Sequence, residues 1–133
     1  MAQVKRKILI VDDEPDVGQT LKMILEEYGF DVDCFTDPRK VLENFRPDFY
    51  ALIILDIKMP EVNGFELYHK LKSKDANIKT IFLTALSHVE DYSTPSNKVY
   101  PIMGERHFVK KPVDNRDLLE QVYSILVRCL PLK

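Results

Sequence analysis

Asp12, Asp13, Asp56, Thr84 and Lys111 all stand where a run of apolar residues stops. "ILIV" leads into the acidic pair, "ALIIL" into Asp56, "TIFL" into Thr84, and "HFVK" into Lys111 and then Pro112. Taken singly, each has an ordinary explanation. Aspartate favours turns and helix starts because its side chain bonds backbone groups just ahead. Threonine is common in strands, and lysines are usually solvated. Brought to one edge of a fold, the same residues suit a different purpose. Three crowded carboxylates repel one another and call for a compensating cation. Mg²⁺ fits, as a hard ion that takes oxygen ligands and keeps several waters, with Mn²⁺ as a possible substitute. A hydroxyl and an ammonium beside such an ion are suited to holding a phosphoryl group. Asp56 then becomes a nucleophile able to form an aspartyl phosphate.

The surrounding pattern supplies elements that could bring these residues together. Short runs rich in Ile, Val, Leu and Phe alternate with stretches of helical period, as in repeated βα units. Strands are expected near 7–12, 31–35, 51–56, 79–84 and 107–110. Helices are expected in "PDVGQTLKMILEEYGF", stopped by Gly29, and over 38–45, 64–71 and 114–127. The first, third and fourth strands are apolar throughout, as strands covered on both faces must be, whereas "DVDCF" suits an edge. The expected fold is α/β: a doubly wound parallel sheet with helices on both faces. In such sheets, functional groups gather at the carboxyl ends of the strands.

Composition narrows the alternatives. The chain has 133 residues, long enough for one domain with a full core. The net charge of −2 gives no basic excess to attract nucleic acid. Ile8 to Val11 is too short an apolar run for a signal peptide or a membrane span. Cys34 and Cys129 form no CxxC or Cys/His cluster and are expected to be buried, reduced thiols of a cytoplasmic protein. His69, His88 and His107 fit no metal-binding spacing.

The motifs "ILIVDDEP", "LIILDIKMPEVNGFEL", "IFLTAL" and "FVKKPVD", in this order, resemble those of the response-regulator receiver domains of the CheY-like type, over essentially the whole chain. That resemblance implies a flavodoxin-like sheet in the order 2-1-3-4-5. It also implies a two-component phosphorelay, in which a sensor histidine kinase or phosphotransfer protein passes a phosphoryl group to Asp56, followed by intrinsic autodephosphorylation. Asp13, Asp56 and the backbone carbonyl of Lys58 would ligate Mg²⁺ directly, and Asp12 would act through water. Thr84 and Lys111 would contact the phosphoryl oxygens, and the bond before Pro112 would be cis. Phe108, three places before Lys111, would be the switch aromatic coupled to Thr84. Its movement would alter the face made by the family's fourth helix, the fifth strand and the last helix. The protein would be a signalling protein rather than an enzyme, a monomer or weak dimer acting on a downstream protein target. Residues 1–133 would form a single receiver domain with no effector domain.

Two features depart from the family pattern. "ALSHVEDYSTPSNKVYPIM" is longer than the family pattern and carries Pro95 and Pro101, so a short helix or loop over 88–102 is expected in place of a regular helix. Apolar Leu86 and cationic Lys58 occupy positions that tune how water reaches the phosphoryl group. Leu86 offers an attacking water no hydrogen bond, so slow dephosphorylation is expected. The competing readings are weaker. A receiver-like binding module that works without phosphorylation would not need the complete set of acceptor, acidic pair, Thr and Lys. A haloacid-dehalogenase phosphatase would place an Asp where Lys58 stands, and a flavodoxin-like cofactor protein would carry a Gly-rich loop that four scattered glycines do not provide.

Overall fold

Leu52–Asp56 forms β3, the central strand, and all of its residues are buried. In the computed structural model, which describes residues 7–59, 62–84 and 108–128, it is flanked by β1 (Lys7–Val11) and β4 (Thr80–Thr84). β2 (Asp31–Phe35) and β5 (Phe108–Lys110) close the two edges. The five strands run parallel in the order β2-β1-β3-β4-β5. Four described helices, α1 (Pro15–Glu27), α2 (Pro38–Asn44), α3 (Gly64–Lys74) and α4 (Asn115–Arg128), connect or follow them. The expected architecture and strand order are both present.

Side chains alternate across the sheet, so each inner strand feeds two separate cores. Leu9, Val11, Ile53, Leu55, Phe82 and Phe108 pack with residues of α2 and α3, including Val41, Leu67 and Leu71. Ile8, Ile10, Leu52, Ile54, Ile81 and Leu83 pack on the opposite side with Leu21 and Leu25 of α1 and Leu118 and Val122 of α4. Each side chain so buried contributes about 1.5–3 kcal/mol relative to exposure, which holds β3 rigidly in place.

Local chemistry sets the helix ends. Pro15 opens α1, and the chain leaves it through Gly29 at φ 89°, a left-handed conformation that glycine adopts without strain. Asn63 caps α3 by accepting from the Glu66 backbone N–H at 2.9 Å, while its own amide donates to the Glu66 carboxylate at 3.2 Å. Asp114 caps α4 through the N–H groups of Arg116 and Asp117. α3 runs beyond the expected end at Leu71 to Lys74, where the Asp75 N–H donates to the Leu71 carbonyl, and α4 starts one residue after its cap. Cys34 is half-buried instead of buried, because it lies on edge strand β2; a Cβ on Gly18 of α1 would collide with its sulfur. Residues 88–102, Leu86, His88, His107 and Cys129 lie outside the described residues.

Candidate phosphoryl-acceptor site

The register of the sheet brings the acidic residues together. Val11 pairs with Leu55, so the next residue on each strand is Asp12 and Asp56, side by side. Asp12 is held there by its N–H, which donates to the Phe35 carbonyl at 3.1 Å. Its Oδ1 accepts from the Glu14 N–H at 2.9 Å, turning the chain into α1. Asp12 is thus tied into the helix start without capping it; the cap position belongs to Glu14, whose side chain makes no capping bond. Asp56 is fixed from the other side. The Ile57 N–H donates to the Leu83 carbonyl at 3.1 Å, and the Gly64 N–H donates to the Ile57 carbonyl at 2.8 Å. A side chain at position 64 would run into the Asp56 carbonyl oxygen and the Ile57 backbone, so only glycine allows α3 to begin this close to β3.

Asp12 is fully buried and Asp56 is 4 % exposed, while Asp13 is half-buried. Carboxylate oxygens from all three lie within 4.8 Å of one another, a spacing able to hold a metal ion. Burial first, and then the charge of Asp12, push the Asp56 carboxyl up to about 7 against the opposing pull of Lys111. Asp12 Oδ2 is buried and accepts no well-aligned hydrogen bond. A crowded acidic cluster with an under-satisfied buried oxygen fits a hard divalent cation.

Lys111 enters from the strand end beyond β5, its N–H donating to the Thr84 carbonyl at 2.7 Å. Its Nζ lies 3.0 Å from Asp12 Oδ2, 3.3 Å from Asp56 Oδ1 and 3.3 Å from Glu14 Oε1. Burial acts to lower the pKa of this ammonium, but its contacts with Asp12, Asp56 and Glu14 outweigh burial and raise it. The Lys111–Pro112 peptide is cis. Thr84 is the buried last residue of β4, level with Lys110 of β5. Phe108 is only 7 % exposed and stacks on Phe82 with ring centroids 5.5 Å apart, while Phe65 meets it edge-on at 6.4 Å. Lys58 is exposed in the connection between β3 and α3. The five strand-end residues marked by the sequence therefore share one edge of the sheet. The Glu14 contact carried no signal in the sequence beyond an acidic residue at a helix start, where Asp, Asn, Ser or Thr would cap better.

A cleft of about 560 Å³ opens beside this edge, lined by Val17, Leu21, Ile24, Pro112 and Val113 together with Glu14 and Lys111. A larger cavity of about 820 Å³, by Tyr28, Leu119 and Tyr123, is lined by none of the strand-end residues.

A doubly wound sheet of this strand order, with an acidic cluster and a lysine at its carboxyl edge, is the arrangement of a receiver module, and the family match agrees. Residues 8–123 match the response regulator receiver domain family, and the chain belongs to it, placing it in two-component signalling. It is 32 % identical over 124 residues to the probable transcriptional regulator ycf27 of Porphyridium aerugineum, covering 93 % of this chain and 49 % of that protein. The chain thus spans about half the length of the curated relatives it matches. The non-phosphorylated HemR receiver domain of Leptospira biflexa superposes with a TM-score of 0.80 at 26 % identity, covering 97 % of this chain and all of that one. CheY in the CheX–CheY–BeF3–Mg complex of Borrelia burgdorferi gives a TM-score of 0.73 at 26 % identity, with 90 % and 87 % coverage. Among the described residues, no helix is long and apolar enough to cross a membrane.

Proposed function

We propose that Asp56 accepts a phosphoryl group from a phosphohistidine on a sensor kinase or phosphotransfer protein, in a Mg²⁺-dependent reaction reset by hydrolysis. The observation that carries this reading is the placement of Asp56: it ends the wholly buried central strand, beside two further aspartates and 3.3 Å from the Lys111 ammonium. A carboxylate so held presents its oxygen without having to be ordered during the reaction. Mg²⁺ in the cluster would neutralise the carboxylates and the phosphoryl oxygens, and the B. burgdorferi CheY relative is described in complex with both Mg and BeF3. Asp12, Asp13 and Asp56 would hold it, with the Lys58 carbonyl as a further oxygen. The P–N bond of the donor breaks as phosphorus bonds the Asp56 oxygen, and the leaving imidazole takes up a proton. Lys111 and Thr84 steady the equatorial oxygens.

The largely apolar cleft beside Lys111 is the surface on which a phosphohistidine-bearing partner would dock, since Lys111 lines it and also touches Asp56. Phe108 would report occupancy of the site. Its ring lies inward against Phe82, and lacking a hydroxyl it has no polar tip to draw it toward water. The protein would thus act through a downstream partner rather than turn over a substrate.

Incubation with a small phosphodonor and Mg²⁺, followed by intact mass measurement, tests the reading. One added phosphoryl group on wild type, absent from Asp56→Asn and from a chelator control, is expected. An unmodified wild type would leave a phosphorylation-independent interaction module as the better account.

A further inference from the structure

We infer that Glu14 is a positioning residue that occupies Lys111 until a phosphoryl group arrives and is then displaced by it. The inference rests on the acceptor role of Asp56. A lysine ammonium has three N–H donors, and here three carboxylates stand around it: Asp12 at 3.0 Å, Asp56 at 3.3 Å and Glu14 at 3.3 Å. Among the described residues, the well-aligned hydrogen bond from this ammonium goes to Glu14 Oε1, while Asp12 and Asp56 hold it as ion pairs, so the Glu14 bond is the one a phosphoryl oxygen competes for.

The three are not equally replaceable. Asp12 is wholly buried and needs a cation beside it, Lys111 without metal or the ion with it, so it cannot be turned out to water. Asp56 is itself the atom donor to which the phosphoryl group attaches. Glu14 is different: its side chain is 64 % exposed, it makes no capping bond to α1, and the neighbouring cleft is open to water. Returning its carboxylate to solvent costs little. The geometry therefore assigns the exchange: Glu14 swings out, and the donor it held turns to a phosphoryl oxygen. Until then, Glu14 keeps the ammonium forward at the mouth of the site and adds a negative charge that an incoming phosphoryl group must overcome.

Removing that competitor should strengthen binding of a phosphoryl mimic. Calorimetric titration of the full chain with beryllium fluoride in saturating Mg²⁺ is the test, with wild type, Glu14→Gln, Glu14→Asp and Asp56→Asn compared at low and high salt. Glu14→Gln is expected to bind about two- to five-fold more tightly at low ionic strength, with the gap shrinking as salt screens the exposed charge. Glu14→Asp, which restores the carboxylate, should return toward wild type. Unchanged or weaker binding by Glu14→Gln, or a gap indifferent to salt, overturns the placeholder role alone. Failure of wild type to bind, or equal binding by Asp56→Asn, overturns the acceptor reading and this inference with it.

Discussion

Replacing Asp56 with Asn should make the metal-free protein more stable, although it removes the proposed phosphoacceptor. In the folded chain, burial and the neighbouring Asp12 raise the Asp56 carboxyl from 3.8 to about 7. The unfolded chain ionises this group near its ordinary value, so between about pH 4 and about pH 7 the folded state holds a proton that the unfolded state has released. Stability therefore falls as pH rises through this window and stays low above it. A displacement of about three pH units corresponds to about 4 kcal/mol. Water and counter-ions at the open strand edge screen part of this, leaving about 2 kcal/mol. For a domain of this size, that is about 6 °C in Tm. Urea denaturation of wild type and Asp56→Asn in a chelator at about pH 8 should show the variant ahead by this margin, with the gap closing toward about pH 4. Saturating Mg²⁺ should stabilise wild type and erase or reverse the gap, because the ion replaces the missing countercharge. A wild type as stable as the variant at alkaline pH without metal, or a gap that persists in acid, would refute the crowding argument.

Lys111→Ala should cost about 3 kcal/mol in chelator, since it leaves Asp12 and Asp56 without their ammonium; Mg²⁺ should recover most of this loss in thermal melts. Gly64→Ala forces a Cβ into the Asp56 carbonyl, and a loss of about 1–3 kcal/mol by urea denaturation is expected together with slower phosphorylation. Phe82→Ala empties the centre of the aromatic group touching Phe65, Tyr68 and Phe108, and should cost about 3–5 kcal/mol at equilibrium. Tyr50→Phe removes the 2.8 Å bond to Asp33 and should cost about 1 kcal/mol, leaving phosphorylation unchanged because Tyr50 lies away from the acceptor edge.

The legible part of this fold is the part dictated by period and burial. Uninterrupted apolar runs identify β1, β3 and β4 as covered on both faces, and the polar alternation of "DVDCF" places β2 at an edge. Strand ends follow from the same pattern, and with them the juxtaposition of Asp12 and Asp56. Contacts that depend on where long side chains turn leave no such trace. Lys111 reaching back to Glu14 across 97 positions of sequence is one case. The network of Lys7 with Asp31 and Asp33, and of Asp33 with Tyr50, is another, because each residue alone reads as an ordinary surface charge or a core aromatic. Gly64 sits in the quoted motif, but its necessity emerges only from the closeness of α3 to the Asp56 carbonyl.

Phe82 and Phe108 face α2 and α3, whereas Ile81, Leu83 and Val109, their immediate neighbours in the chain, face α1 and α4. Side chains on opposite sides of the sheet share backbone but no packing surface, so substitutions across it should combine almost additively. The cleft beside Lys111 belongs to the α1 side, and the aromatic group belongs to the other. Descendants of this chain are then free to rewrite the aromatic side, residue by residue, while the cleft proposed to receive the phosphodonor is left as it was; the sheet is a firewall between the two kinds of change.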